Sequence, residues 1–467
     1  MRPPARKASS ADRSRRACLS WLRAHAIPFD PDRGPSISAL KPLTALLAGK
    51  RVAMLGETAP RVRETFRFRM ALLRFLATHG FSLIGTQASW PDGARIQRFM
   101  ASNALTELDR VALLGYRGSA RADRDDSCTG SLSTTRSRPH ESPASHTSRL
   151  RWQAANQAAM QKEQRRFYVA VRKLREQQKP PQGPIQVFGC DADYSLGDCY
   201  EEIDALLRTR RQPRIDTLRQ LLTRVPGEDM AAEIDRLAWA LDWLDLQYAS
   251  LADQLGSSGF GHVRHLLALL HDSFELAQAA WYTDDPARIA DGAALRDTVM
   301  HTNVAYALAE HHPEAKAVLI AAAHHLPKSD AGIVTAEATR HNLRSANAAR
   351  GSASATRASL GSFVAQTLLP GQVFSVWFMY GGGTDGQIRA LKQRQLSAPK
   401  DSLNALLRRV GGAFVLPLAD LDDPRAAPLR ESLNVMHSGN RSMRLRLAEQ
   451  LDAIYFVPTV SAVEAQR

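Results

Sequence analysis

Short apolar runs alternate with amphipathic helical patterns along the first half of the chain, most clearly over residues 52–90. One apolar run ends at Gly56-Glu57, an amphipathic segment follows, and a second apolar run ends near Gln87 and Trp90. Apolar positions at helical spacing between two buried runs predict a strand–helix–strand unit. Because ligands bind beyond the carboxyl ends of strands in open α/β sheets, Glu57 is the first candidate for chemistry.

Further apolar runs predict strands in the rest of the chain, at 185–191, 316–325, 372–380, 412–418 and 453–459. Consecutive helical patterns fill most of 200–312. Early strands that alternate with helices are typical of an α/β fold with a mainly parallel central sheet. The helical stretch predicts a helical-bundle insertion beside the cleft of that sheet.

Two segments lack a regular apolar pattern. Residues 1–35 are basic and predict a flexible N-terminal arm. Residues 117–150 are rich in Ser, Thr, Arg and Asp and hold few large apolar side chains, so they predict a disordered loop. The remainder, 36–467, is expected to form one domain that carries this loop and the helical insertion.

Composition narrows the class of protein. The formal charge is +14, from 61 basic and 47 acidic residues, but the excess is spread out and no zinc-finger or RNA-binding signature accompanies it. Nucleic acid is therefore not an expected partner. The four cysteines show no CxxC spacing, so no structural metal site is expected. No apolar run is long enough to span a bilayer, and a cytoplasmic protein without membrane contact is expected.

Polar or ionisable side chains stand at the predicted strand ends. Glu57, Gln87, Asp191 and the pair His324-His325 each follow an apolar run. Because strand ends meet at one edge of a parallel sheet, these groups could share a pocket. Alternatively, each of them is a capping or surface residue.

Two arginines stand on apolar helix faces. The first is Arg69, in the middle of the face formed by Phe66, Met70, Leu73 and Leu76. A buried guanidinium is costly unless it is paired, and Glu57 or Asp191 is the natural partner. Arg296 and Asn303 share the apolar face of a later helix. Snorkelling of Arg69 to solvent and a structural hydrogen-bond network around Arg296 are the alternatives.

Aromatic side chains recur at helical spacing within 236–252, at Trp239, Trp243 and Tyr248. Such a stripe can line an apolar ligand cleft, but it is more often the core of a helical bundle. The sequence is compatible with both interpretations.

Taken in order, these pieces resemble the erythromycin esterase family. The resemblance begins with Gly56-Glu57 and the stretch ALLRFLATHGFSLIGTQASW. It continues in a Tyr/Phe-Gly-x-Asp strand at 188–191, in an Arg-Asp-x-x-Met-x-x-Asn helix at 296–303 and in AAAHH at 321–325. Later matches are Leu360-Gly361, the stretch QVFSVWFMYGGG, residues 402–407 and residues 451–454.

The resemblance implies an α/β core with a helical bundle beside the cleft. It implies hydrolysis of a carboxylic ester or macrolide lactone, a small-molecule substrate, by activated water without metal or cofactor. Its catalytic residues would be Glu57, His324 and His325. Its substrate-binding residues would be Arg69, Gln87, Asp191, Arg296 and Asn303. Antibiotic resistance and polysaccharide metabolism both stay open as the physiological role.

The chain departs from the family pattern at positions where the reaction needs ionisable groups. A family His falls on Pro60 and a family Glu falls on Gln87. In a gap-free alignment the first His of a His-Asn-x-His motif falls on Ala322 and the second on His325, whereas a two-residue shift places His324 on the first. Loss of a positioned base costs about 10²–10⁴ in rate. An impaired hydrolase is therefore expected, and a non-catalytic family member that binds a ligand or partner is the alternative. The oligomeric state stays open.

Overall fold

The structure is a computed structural model that describes residues 10–59, 61–111, 143–178, 183–210, 212–223, 229–281, 286–331, 333–335, 358–386, 394–437 and 441–463. The chain divides into two compact units. Unit 1 takes Met1–Phe81, Ser142–Gly183 and Val318–Arg467, and unit 2 takes Ser82–Glu141 and Pro184–Ala317. Residues 117–142 of the predicted loop at 117–150 lie outside the described residues.

The strands are numbered in chain order. They are β1 (Ile27–Phe29), β2 (Val52–Glu57), β3 (Phe81–Ser89), β4 (Gln186–Asp191), β5 (Lys316–Ala322), β6 (Val334–Thr335), β7 (Val373–Tyr380), β8 (Gly382–Asp385), β9 (Arg394–Ser397), β10 (Ala413–Pro417), β11 (Leu433–His437), β12 (Arg441–Leu445) and β13 (Ala453–Val457). The main sheet has eight strands and is mostly parallel.

The α-helices are numbered in the same way. They are α1 (Ser10–His25), α2 (Glu64–Ala77), α3 (Trp90–Ser102), α4 (Leu105–Asp109), α5 (Pro143–Gln177), α6 (Asp198–Leu207), α7 (Pro213–Leu221), α8 (Met230–Leu246), α9 (Tyr248–Leu255), α10 (Ser257–Leu276), α11 (Pro286–Ala305), α12 (Leu360–Ser362), α13 (Leu403–Arg408), α14 (Ala427–Arg430) and α15 (Leu447–Gln450). Segments Ala277–Trp281, Tyr306–His311 and Phe363–Leu368 are π-helical, and Lys41–Leu47, Ala323–His325 and Pro424–Ala426 are 3₁₀.

In unit 1, β2 and β13 flank β7 as parallel neighbours, and β10 and β1 extend the sheet as antiparallel strands. All six residues of β2 are buried, which explains its continuous apolar run. Gly56 is required there because a Cβ at this position would lie 2.4 Å from Cδ1 of Trp377. This close packing holds the carboxyl end of β2, and with it Glu57, against β7.

In unit 2, β3 and β4 pair in parallel, with Thr86 opposite Gly189. A Cβ on Gly189 would lie 1.8 Å from the backbone oxygen of Ser89, so only glycine permits this approach. The described part of 198–311 in this unit is mostly helical, and α10 packs against α6, α8, α9 and α11. Among the described residues, none of the helices has the length and apolar content needed to cross a membrane.

The prediction of an α/β fold with a mainly parallel sheet is confirmed. The flexible-arm prediction at 1–35 is wrong for residues 10–29, which form α1 and β1. The reason is an apolar face on α1, where Cys18, Trp21 and Leu22 are fully buried. The loop prediction also needs correction at 143–150, because α5 begins at Pro143 and continues into residues with helical periodicity.

Candidate active site

The Arg69 side chain pairs with Glu57 at the carboxyl end of β2. Its Nη2 donates to Oε2 of Glu57 at 2.7 Å, and its Nε donates to Oε1, so the contact is bidentate. Arg69 is 8% exposed and Glu57 is 3% exposed. The prediction that Arg69 turns inward to meet a carboxylate is confirmed, and snorkelling is excluded.

Burial sets the electrostatics of this pair. Loss of solvent raises the pKa of the Glu57 carboxyl, and the charge and hydrogen bonds of Arg69 oppose that rise. The guanidinium carbon of Arg69 also lies 5.2 Å from the ring centroid of Phe167 on α5, a cation–π contact. Arg69 is therefore fixed in position from two sides.

A second pair follows the same design in unit 2. Asp191 ends β4 and is fully buried, and Arg296 of α11 donates to both of its carboxylate oxygens, with Nε 2.9 Å from Oδ1. Tyr194 Oη donates to Oδ1 at 3.1 Å, and the Ala192 backbone N–H donates to the same oxygen at 2.9 Å. Asp191 thus accepts from a cation, a phenol and a backbone amide.

Asn303 completes the network around Asp191. Its Nδ2 donates to the backbone oxygen of Asp191 at 3.1 Å, and the side chain is fully buried. Arg296 and Asn303 therefore serve the same residue from one helix, α11. The structural-network alternative accounts for both of these contacts.

The two candidate histidines lie in the 3₁₀ turn that directly follows β5. His324 is exposed, His325 is buried, and their ring centroids are 4.1 Å apart. Among the residues that the structure describes, Arg69 is the hydrogen-bond partner of the Glu57 carboxylate, and neither imidazole reaches it.

The predicted site residues fall in both units. Glu57, Arg69, His324 and His325 belong to unit 1, whereas Gln87, Asp191, Arg296 and Asn303 belong to unit 2. Gln87 is buried near the end of β3. Among these predicted residues, each unit holds one Arg–carboxylate pair at a strand end. The common pocket expected from the sequence stays a prediction.

Sequence reasoning missed a cluster of rings in unit 2. Trp90 has the rings of His265, Tyr306, His311 and His262 around it, with centroids 4.6, 5.2, 6.0 and 6.2 Å away. His265 stacks on Tyr306 at 4.1 Å. The available signal was the high density of histidines at 262–265 and 311–312, which the helical patterns hid.

The imidazoles of this ring cluster are neutral near pH 7. Burial, together with the neighbouring His311, lowers the pKa of His262 to about 4. Burial, reinforced by the other imidazoles, lowers the pKa of His265 to about 3. Burial also lowers the pKa of His311. The cluster therefore offers uncharged donors and acceptors beside an indole.

Within the described ranges, one group of side chains has metal-ligand atoms within 4.8 Å of one another, namely His271, Asp272 and Glu275 of α10. These residues occupy a single turn of one helix, and Nδ1 of His271 lies 3.1 Å from Oδ1 of Asp272. The candidate site residues are not among them.

The mostly parallel sheet and its strand-end Arg–carboxylate pairs define an α/β protein with polar groups beyond the carboxyl ends of its strands. A family model described as erythromycin esterase matches residues 76–460. The chain therefore belongs to the erythromycin esterase family. The match begins beyond Glu57 and Arg69, so the role of these two residues depends on the structure.

Solved structures share this fold at low sequence identity. A protein from Bacillus cereus has a TM-score of 0.69 and 14% identity, over 97% of this chain and 99% of that chain. A succinoglycan biosynthesis protein has a TM-score of 0.64 and 14% identity, over 98% of this chain and 100% of that chain. A mutant erythromycin esterase in its open conformation has a TM-score of 0.59 and 16% identity, over 91% of this chain and 94% of that chain. Comparison with curated proteins gives no match.

Proposed function

We propose that this chain is a hydrolase that cleaves a carboxylic ester or a macrolide lactone by metal-independent attack of water. Family membership supports the hydrolase class. The observation that carries the proposal is the buried, bidentate Glu57–Arg69 pair at a strand end. This pair holds a guanidinium, which can donate to a developing oxyanion, beside a strand end where ligands bind in open α/β sheets.

The geometry assigns different tasks to the carboxylate and the imidazoles. Both oxygens of Glu57 accept from Arg69, so this carboxylate is a poor general base and instead orients the guanidinium. Proton abstraction then falls to an imidazole, and the exposed His324 after β5 is our candidate, with His325 beside it. A histidine is suited to this task because its ordinary pKa lies close to neutrality.

The reaction is an ordinary ester hydrolysis. An imidazole takes a proton from water as the water oxygen attacks the carbonyl carbon, and the negative charge moves to the carbonyl oxygen. Arg69 stabilises this oxyanion, which is typically the largest single contribution to catalysis of acyl transfer. When the intermediate collapses, the C–O bond to the alcohol breaks and the imidazolium returns its proton to the leaving oxygen. The products are a carboxylic acid and an alcohol.

A non-catalytic ligand-binding protein is the second candidate. Two features favour it: within the described residues no imidazole bonds to Glu57, and the family Glu on the second strand is Gln87 here. A neutral amide keeps hydrogen-bonding capacity but cannot accept a proton at neutral pH. Such a site would retain a ligand without turnover.

The test is incubation of the purified chain with a panel of macrolides and simple esters, followed by mass spectrometry for addition of one water. We expect turnover, and we expect His324→Gln with His325→Gln to lower it by about 10²-fold or more. His79→Gln, in the turn between α2 and β3, is the matched control and should retain turnover. Ligand-induced thermal stabilisation without any product would contradict the hydrolase proposal and support the binding protein.

A further inference from the structure

The outer side of the aromatic helix singled out in the sequence is exposed and is not bundle core. Trp239 is 55% exposed and Leu246 is 81% exposed, both on α8. The opposite side of α8 buries Leu237, Ala240 and Leu244, and α8 packs against α10. The apolar content of this helix therefore exceeds what its own unit covers.

The outer face of α8 has a regular composition. Asp235, Trp239, Asp242 and Leu246 are all exposed and follow one another at intervals of four, three and four residues. This spacing places them on a single stripe along the helix. These four residues form an acidic aromatic stripe.

The carboxylates of the acidic aromatic stripe form no ion pairs within the part of the chain that the structure describes. Asp245, which lies off the stripe, accepts from Arg264 at 2.7 and 2.9 Å, whereas Asp235 and Asp242 make no such ion pair there. An indole between two unpaired carboxylates attracts cations, since the ring face and both charges act in the same direction. Large exposed apolar side chains in a regular row are typical of an interaction surface.

We propose that the acidic aromatic stripe is a docking surface for a basic amphipathic helix of a partner protein. Seven residues of helix separate Asp235 from Asp242, a rise of about 10 Å. A partner helix with Arg or Lys seven residues apart matches this distance, and apolar side chains between them then contact Trp239. Charge complementarity selects this partner over an anionic membrane surface, which the two carboxylates repel.

The size of the surface sets the strength of the interaction. The stripe spans about 17 Å of helix, roughly three turns. One helix on this face buries less than the ~1,200 Å² of a standard stable interface, so the complex is transient. Its stability depends on Trp239 as the central aromatic anchor and falls as salt screens the two carboxylates.

The test uses the full chain and two synthetic helical probes. The basic probe carries Arg at two positions seven residues apart with Leu between them, and the acidic probe carries Glu in place of Arg. Two variants break the stripe: Trp239→Ser with Leu246→Ser, and Asp235→Lys with Asp242→Lys. The matched control, Asp253→Lys with Leu206→Ser, changes one exposed carboxylate and one exposed Leu outside the stripe. Thermal unfolding of each variant checks that it is folded.

We expect titration calorimetry to show binding of the basic probe to the wild type and to the control. The Trp239→Ser, Leu246→Ser variant should lose at least about tenfold in affinity, as for a central anchor. The Asp235→Lys, Asp242→Lys variant should no longer bind the basic probe and should bind the acidic probe instead. Equal affinity in stripe and control variants would overturn the proposal. Self-association of the wild type that is lost only in the stripe variants would also overturn the proposal, because a second copy of the chain would then occupy the stripe. Binding to anionic vesicles that is lost only in the stripe variants would overturn it as well, because a membrane would then be the occupant.

Discussion

The two Arg–carboxylate pairs look alike at first sight but differ in how completely the carboxylate is occupied. Glu57 accepts two hydrogen bonds, both from Arg69. Asp191 accepts two from Arg296, one from Tyr194 and one from a backbone amide, and Asn303 holds its backbone oxygen. A carboxylate whose acceptor sites are filled by several protein donors holds those donors in place. We therefore expect Asp191–Arg296 to be the structural pair, and Glu57–Arg69 is the pair beside which we place the chemistry.

The largest expected effect comes from removal of the saturated carboxylate. Asp191→Ala removes the carboxylate that is the counter-ion of Arg296 and the acceptor of the Tyr194 hydroxyl, whereas the backbone oxygen that Asn303 binds stays in place. We expect a loss of about 3 kcal/mol in the free energy of unfolding, the lower end for a broken buried pair because the Arg296 side chain is 21% exposed. Urea denaturation measures it. A loss below about 1 kcal/mol would show that Asp191 is not the structural pair.

The next effect separates chemistry from stability at Glu57. Glu57→Gln keeps the shape but removes the charge that holds Arg69, so the guanidinium loses its fixed orientation. We expect turnover of the best ester substrate to fall by about 10²-fold, as for loss of one oxyanion donor. Steady-state kinetics and thermal unfolding, measured on the same samples, give the two readouts. A variant that unfolds easily but keeps its kcat would assign Glu57 the structural role instead.

A smaller effect tests how tightly β2 must pack to place Glu57. Gly56→Ala puts a methyl group 2.4 Å from Cδ1 of Trp377, so the strand or the indole must move. We expect a destabilisation of about 1–3 kcal/mol, typical of overpacking. Gly261→Ala in α10 is the control, because a Cβ there meets no atom within 4 Å. Similar unfolding midpoints for the two variants would contradict this account.

The ring cluster adds its own pH dependence to the stability of the protein. The pKa of His262 is lowered to about 4 and that of His265 to about 3 in the folded protein, from an ordinary 6.5. Below pH 6.5 these histidines are therefore protonated in the unfolded chain but stay neutral in the folded protein. The free energy of unfolding consequently falls as the pH drops from 6.5 towards the pKa values of the folded state. Each group contributes at most about 1.4 kcal/mol per pH unit.

The matched variant is His265→Phe, which retains a ring on Tyr306 but removes the titrating group. Denaturation at several pH values between 4 and 7.5 should give a shallower fall for this variant than for the wild type. Parallel slopes would show that His265 is not the titrating group.

Periodic patterns predicted the parts of the fold that depend on local burial. β2, β4, β7, β10 and β13 follow from apolar runs, and the inward position of Arg69 follows from a helical wheel. The ordered α1 was missed because its apolar face is narrow within a basic segment. The exposure of Trp239 was missed because an apolar stripe has the same pattern whether a neighbour covers it or not.

The number of hydrogen bonds that a carboxylate accepts cannot be predicted from periodic sequence patterns, for a physical reason. Asp191 and Glu57 both end apolar runs, and their difference arises from Tyr194 and Asn303, which are brought to Asp191 by the turn after β4 and by α11. Contacts between distant segments depend on packing. The ring cluster around Trp90 is a further example, since its members come from positions as far apart as 90 and 311.

The central claim is that water is added across an ester with Glu57–Arg69 intact. The most direct measurement is hydrolysis in water enriched in oxygen-18, with the product analysed by mass spectrometry for the wild type and for Arg69→Met. The account predicts one labelled oxygen in the carboxylic acid product of the wild type and about 10²-fold less product from the variant. Ligand binding by the wild type with no labelled acid, or equal product from both proteins, would contradict it.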